Sequence, residues 1–325
     1  KKAESLVKLS DRPSGDKGIL LKDLERKISN NTLRYRYVTV DYDRDLRSAT
    51  LTITAPQEIP PNNIEMIHAQ GCDFWPIAMA RELEDAILHL RFNEPELGTW
   101  ILKTSGNGQN IAAADQAMYE NADHWLIREI TLYLKRTFKR LDVSSRSIIA
   151  LIMPGSCFTG TLMELALCAD ISYMLDGILL NSDMMPATVR LTNMNFGPLV
   201  MCNGLTRIDS RFLSENEKTS RIKDRIGENL TATEAESLGI VTFIPDNIDW
   251  EDEIRVAIEA RASFSPDALT AMEANLRFGG PETMESKIFS RLSAWQNWVF
   301  LRKNASNSLQ LYGSGKKPKF ERERI

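Results

Sequence analysis

Residues 148–174, IIALIMPGSCFTGTLMELALCADISYM, most constrain what this chain can fold into. Positions 148–152 are an unbroken apolar run rich in β-branched residues and are followed by Pro154-Gly155. That pattern predicts a strand buried on both faces, the hallmark of a parallel sheet covered by helices. Pro154, Gly155 and Gly160 punctuate a turn. From 161 to 169 apolar residues crowd at helical spacing, with Glu164 as the only charge and Thr159 or Thr161 available as a cap. Asp170 ends the helix, and 171–174 opens a second strand. A strand, turn and helix in this order aim free backbone amides at whatever lies above the turn, and such amides stabilise a developing oxyanion. An ordinary packed crossover reads the same way.

The remaining chain suits an α/β protein of 325 residues, enough for a sizeable core. A net charge of -4, from 40 basic and 44 acidic residues, gives no general polyanion-binding signature, so nucleic acid is not an expected partner. No apolar stretch approaches the roughly 20 residues that span a bilayer. Cys72, Cys157, Cys168 and Cys202 are scattered without metal-ligand spacing and suit reduced thiols of a cytoplasmic protein. His68, His89 and His124 are equally isolated, so a structural metal is not expected. Residues 1–33 read as a connector from an upstream domain, with a loop at 11–15 and one short helix over 19–28. A hairpin is expected over 34–55, a proline-rich loop at 56–63, and an amphipathic helix over 76–90. A strand follows at 99–103, a helical segment at 118–141 and a short strand at 188–191. A capped helix, glycine stop and strand fill 231–244, and helices over 247–262 and 265–276 end at a Gly-Gly-Pro break at 279–281. The stripe Ile288, Leu292, Trp295 and Val299 predicts a long helix over 282–302 packed in a core or between subunits. The tail 313–325 is basic.

Glu164, Leu165, Ala166 and Asp170, after a Pro-Gly turn, resemble the signature of the crotonase (enoyl-CoA hydratase/isomerase) superfamily. Ala112-Ala113-Ala114-Asp115 is similar to that family's A-G-A-D motif, and ESLGIVT to a further segment of it. The wording PGSCFTGT, with SSRSIIALIMPGSCF and EANLRFGGPETMESKIFSRLSAWQNWVF, is narrower, resembling the C-terminal half of the benzoyl-CoA-dihydrodiol lyases. The resemblance implies a crotonase-like ββα spiral over 34–245 and a helical C-terminal region over 246–325. It implies a lyase that opens the ring of an oxygenated benzoyl-CoA (an epoxide or dihydrodiol) in aerobic benzoate degradation, releasing formate and an aliphatic semialdehyde-CoA. It also implies a homo-oligomer, such as a homodimer, an upstream crotonase-like domain as partner, and CoA only as part of the substrate. Backbone amides near Ala114 and Gly160 would form the oxyanion hole, and Glu164 would be the catalytic carboxylate. Ser156, Cys157 and Asn193 would face substrate, with Lys135, Arg136, Lys139 and Arg140 within reach of CoA phosphates. Two departures stand out. Asn193 occupies the place of the second carboxylate, and an amide cannot shuttle a proton as a general acid/base. The nine steps from Gly155 to Glu164 are one more than the family has, which turns a helix position by about 100°. A supporting rather than catalytic half, or a generic enoyl-CoA hydratase, are the alternatives.

Overall fold

The computed structural model describes residues 1–10, 15, 17–179, 183–277 and 282–321. The loop at 11–15 (save residue 15) and the break at 279–281 therefore lie outside the described residues. Seven strands form one sheet in sequential order. β1 (Lys27–Ile28), β2 (Thr32–Arg34), β3 (Val38–Asp43) and β4 (Ser48–Thr54) pair antiparallel, and β5 (Thr99–Ser105), β6 (Ser147–Ile152) and β7 (Ile171–Met174) continue from β4 in parallel. The expected hairpin is β3–β4, where Asp43 Oδ1 accepts from Leu46 N and Arg47 takes a left-handed φ of 53° to turn the chain. β6 is buried along its whole length, as its uninterrupted apolar run requires.

The parallel strands need crossovers, and helices supply them. α1 (Lys2–Val7) precedes the sheet; α2 (Ile64–Gln70) and α3 (Trp75–Asn93) join β4 to β5. α4 (Gly108–Glu120) and α5 (Trp125–Asp142) join β5 to β6, and α6 (Met163–Cys168), entered by a 3-10 turn at Gly160–Leu162, joins β6 to β7. The continuous helix expected at 118–141 is thus two helices. His124 accepts from Leu126 N and starts a new one. Beyond β7 come β8 (Val189–Arg190), α7 (Arg207–Arg211), α8 (Asn216–Lys223), β9 (Asn229–Leu230) and α9 (Ala232–Ser237). Thr231 and Glu234 close a reciprocal capping box on α9, two residues before the Thr233–Glu236 spacing suggested by the sequence. α10 (Trp250–Ala262) and α11 (Pro266–Leu276) lead to α12 (Met284–Ser286), a π-helical stretch at Lys287–Leu292, α13 (Ser293–Phe300) and α14 (Lys303–Gln310).

Two expectations are corrected here. Residues 19–28 form no helix. The segment runs extended along α3, clipped by Arg81 to the Lys22 carbonyl, by Lys22 to Asp73 and by Arg26 to Asp85, and ends in β1. Leu20 and Leu21 point outward, 80% and 53% exposed, so their spacing carries no packed face. The expected 282–302 helix forms as one helical run over 284–300 that is π-helical at Lys287–Leu292, but no residue of α13 is buried. Its stripe is therefore not packed in this chain's own core.

These placements set contrasting costs for two leucines. Leu51→Ala, at a fully buried position of β4, is expected to lower the urea-unfolding free energy by about 2–5 kcal/mol. Leu20→Ala is expected to stay within about 0.5 kcal/mol of the wild type. A large loss at Leu20 would show that 19–28 packs as the sequence spacing suggested.

Candidate functional site

The turn after β6 is held open in a shape only glycine permits. Gly160 has φ of 47°, and a Cβ there would lie 1.8 Å from Asp115 Oδ2 and 2.6 Å from Thr192 Oγ1. Asp115, on α4, is the reason. Its Oδ2 accepts from Thr161 N at 2.8 Å and from Thr192 Oγ1 at 2.8 Å, while Oδ1 accepts from Thr161 Oγ1 at 2.5 Å. Three chain segments, following β5, β6 and β7, therefore meet on one buried carboxylate. Burial pushes this carboxyl up to about 6, against the hydrogen bonds from Thr161 and Thr192. The Gly160 carbonyl is fixed as well, accepting from Asn195 Nδ2 at 2.9 Å.

Glu164 sits one turn further and is 1% exposed. Its Oε1 accepts from Asn195 Nδ2 at 2.7 Å and its Oε2 from Arg207 at 2.6 Å. Arg207 in turn donates twice to Asp142, at 2.6 and 3.2 Å, and once to the Leu199 carbonyl. Burial raises the Glu164 carboxyl, and Arg207 and Asn195 pull it back. Burial would lower Arg207, but Asp142 and Glu164 outweigh it and hold the guanidinium charged. Glu164 is thus a partner in a closed ion-pair network, and both of its oxygens point at protein donors. The extra residue before Glu164 would turn either Glu164 or its neighbour Met163 toward a site. Both are buried, so neither projects into an open cavity.

The other sequence candidates separate into two groups. Ala112 and Asn193 both line a cavity of about 270 Å³ whose wall also includes Asp115, Gln116, Tyr119, Arg190 and Thr192. Ala114 lies at the seventh position of α4, so its amide is spent on the helical ladder and is not a free oxyanion donor. The amide that follows Gly160 is spent on Asp115. Of the expected pair of backbone donors, the Ala114 amide is thus taken up by its helix, while the amide held by Asp115 is that of Thr161, one residue past Gly160. Ser156 and Cys157 belong to the neighbouring turn. Met153 N donates to Ser156 Oγ at 3.1 Å, which caps that turn. Cys157 is 2% exposed and its thiol is pushed up to about 11 by burial, so it packs instead of reacting. Of the basic face on α5, Arg136 and Arg140 are both engaged by Glu84. Among the described residues no cluster of metal-ligating side chains occurs.

Asp115, Asn195, Arg207 and Asp142 are the residues that sequence reasoning missed. Asp115 stood inside the recognised AAAD run, but was read for its neighbours' backbone. Arg207 and Asp142 carry no motif, since the pair is 65 residues apart in sequence.

Gly160→Ala is expected to cost at least about 2 kcal/mol, because the collision is with a buried carboxylate and a β-branched side chain. Asp115 adds a pH dependence whose sign is fixed. Its folded carboxyl titrates near 6, above its ordinary value of 3.8, so its stabilising contribution is complete below 3.8 and is lost as pH rises through about 6. The wild-type advantage over Asp115→Asn in urea unfolding should therefore shrink across that window by up to about 3 kcal/mol. An advantage that grows with pH would contradict this assignment.

With the geometry in place, the chain can be set beside known proteins. No protein-family model matches it. The benzoyl-CoA-dihydrodiol lyase of Aromatoleum evansii is 49% identical over 327 residues, covering all of this chain and 58% of that protein. The chain thus spans somewhat over half the length of the curated relative it matches. An enoyl-CoA hydratase structure from Geobacillus kaustophilus HTA426 superposes with a TM-score of 0.62 at 17% identity, covering 89% of this chain and 98% of that one. One from Bacillus anthracis gives a TM-score of 0.61 at 16% identity, with 89% and 100% covered. The chain therefore has the crotonase fold and is, over its whole length, a homologue of benzoyl-CoA-dihydrodiol lyase.

Proposed function

We propose that this chain is the C-terminal part of a lyase that opens the ring of an oxygenated benzoyl-CoA, a 2,3-epoxide or dihydrodiol, during aerobic benzoate degradation. The products would be formate and an aliphatic semialdehyde-CoA, with no cofactor beyond the CoA of the substrate. The 49% identity along the entire chain carries this reading. Within that enzyme the chain has a supporting role, packing against an upstream crotonase-like domain in a cytoplasmic homo-oligomer.

The internal hydrogen bonding of the site favours support over chemistry. An oxyanion placed on Thr161 N would have to displace the Asp115 carboxylate. A proton donor at Glu164 would have to leave Arg207 and Asn195. Asn193, beside the 270 Å³ cavity, offers hydrogen bonds but no proton transfer. A generic hydratase would need two free carboxylates, and these positions do not supply them.

Titration of a benzoyl-CoA thioester against this chain, with and without the upstream part, tests the proposal. Binding is expected only when both parts are present. In the two-part enzyme, Glu164→Gln should lower the melting temperature, because removing one member of a buried pair costs about 3–5 kcal/mol. It should leave turnover per folded molecule near that of the wild type. Tight thioester binding by this chain alone, or a Glu164→Gln enzyme that is stable yet inactive, would overturn the supporting role.

A further inference from the structure

A second cavity, of about 240 Å³, lies away from the Gly160 turn, at the opposite edge of the parallel strands. Its wall brings together Arg207, Arg211 and Arg277 with Asp142 and Asp170. The two carboxylates are already matched. Asp142 receives a two-pronged bond from Arg207, and Asp170 receives Arg277 at 2.8 Å and the Ile148 amide at 2.6 Å. Arg211, at the end of α7, is left over. It is half-buried, and among the described residues it has neither a hydrogen-bond acceptor nor an ion-pair partner. Burial pulls it below the usual guanidinium range, with no anion to offset that pull. Arg277, only 6% exposed, also leaves its Nε buried without an acceptor, although its other nitrogens reach Asp170, the Leu141 and Arg146 carbonyls and, at 3.9 Å, Glu273.

Buried polar groups are normally satisfied, and the Nε of Arg277 is an exception. The wall thus holds one guanidinium, Arg211, with no carboxylate partner among the described residues, beside Arg277, whose Nε has no acceptor. Leu167 and Met201 supply apolar walls, which strengthen any ion pair formed inside. The planar fork of arginine suits an oxygen anion in particular.

We propose that this cavity binds a compact oxyanion, the carboxylate or phosphate group of a small molecule, with Arg211 as its principal ligand. The site is independent of the thioester reading, since it shares no residue with the Gly160 turn or the 270 Å³ cavity.

Thermal unfolding of the wild-type chain, titrated with acetate or inorganic phosphate against chloride at equal ionic strength, tests the site. At least one oxyanion is expected to raise the melting temperature saturably where chloride does not. A response to acetate alone marks a carboxylate ligand, and one to phosphate alone a phosphate group. Arg211→Gln should weaken the response at least about tenfold, the loss of one charge-assisted contact. The surface variant Arg221→Gln, on α8, should leave it unchanged. Should Arg211→Gln not fold, protection of the wild type against an arginine-directed dicarbonyl decides, read by mass spectrometry of the Arg211 peptide. Protection by the effective oxyanion upholds the site. Equal labelling with and without it, no response beyond chloride, or an undiminished response in Arg211→Gln would overturn it.

Discussion

The architecture depends on the carboxylate of Asp115. The parallel strands deliver three successive loops to the same region, and nothing in the sheet itself ties those loops together. Asp115 does so by accepting from Thr161 N, Thr161 Oγ1 and Thr192 Oγ1. The close approach leaves no space for a side chain on the turn, which is why residue 160 is glycine. A carboxylate taken from water is expensive unless hydrogen bonds replace its hydration, and here three donors offset part of that cost. Asn195 then links this clamp to a second one. Its carboxamide nitrogen reaches both the Gly160 carbonyl and Glu164, and Glu164 reaches Asp142 through Arg207. A continuous buried polar network therefore runs from α4 to the ends of α5 and α7. Satisfied networks of this kind rigidify a core, and a half-satisfied one would be worse than none.

That network decides what the turn can do. A strand-turn-helix unit offers amides to an anion, and the superfamily resemblance implies that the anion is a substrate oxygen. In this chain the amide after Gly160 already faces a resident carboxylate. Like charges cannot share so small a space. Glu164 shows the same conversion, from a group that could donate a proton to one that fixes Arg207. Burying a pair of this sort adds little net stability over apolar packing, but breaking it leaves an uncompensated charge. The arrangement is thus self-preserving, since removal of any one member exposes the cost of the others.

The fold was readable in the sequence wherever a periodic pattern had one cause. The buried run at 148–152, the alternation in the β3–β4 hairpin and the apolar face of α3 each had a single physical explanation, and each formed as expected. The readings that failed had competing causes. Leu20, Leu21, Leu24 and Ile28 share helical spacing, yet Asp73 and side chains of α3 capture the backbone and charges of that segment first. Trp295 and its neighbours have a helical stripe, but none of the residues of α13 is buried. At the site, sequence located the right segments, α4, the glycine turn and the Asn193 loop, because the motifs are local. It could not show how they were wired. That wiring rests on pairs such as Asp115 with Thr192 and Arg207 with Asp142, 77 and 65 residues apart, which no periodicity encodes.

The two edges of the parallel strands consequently differ in electrostatic character. At the carboxyl ends, where helices of this architecture usually present amides to ligands, the protein's own Asp115 supplies the negative charge. At the amino ends, where Asp170 and Arg146 immediately precede β7 and β6, guanidinium groups outnumber the carboxylates that line the cavity beside them. Arg207 stands between the two regions, satisfied toward the turn by Glu164 and toward the cavity by Asp142. Its full engagement isolates Arg211, because both nearby acidic groups are already bonded more closely elsewhere. The same network that closes the glycine turn to an external anion therefore leaves positive charge unmatched on the far side of the sheet.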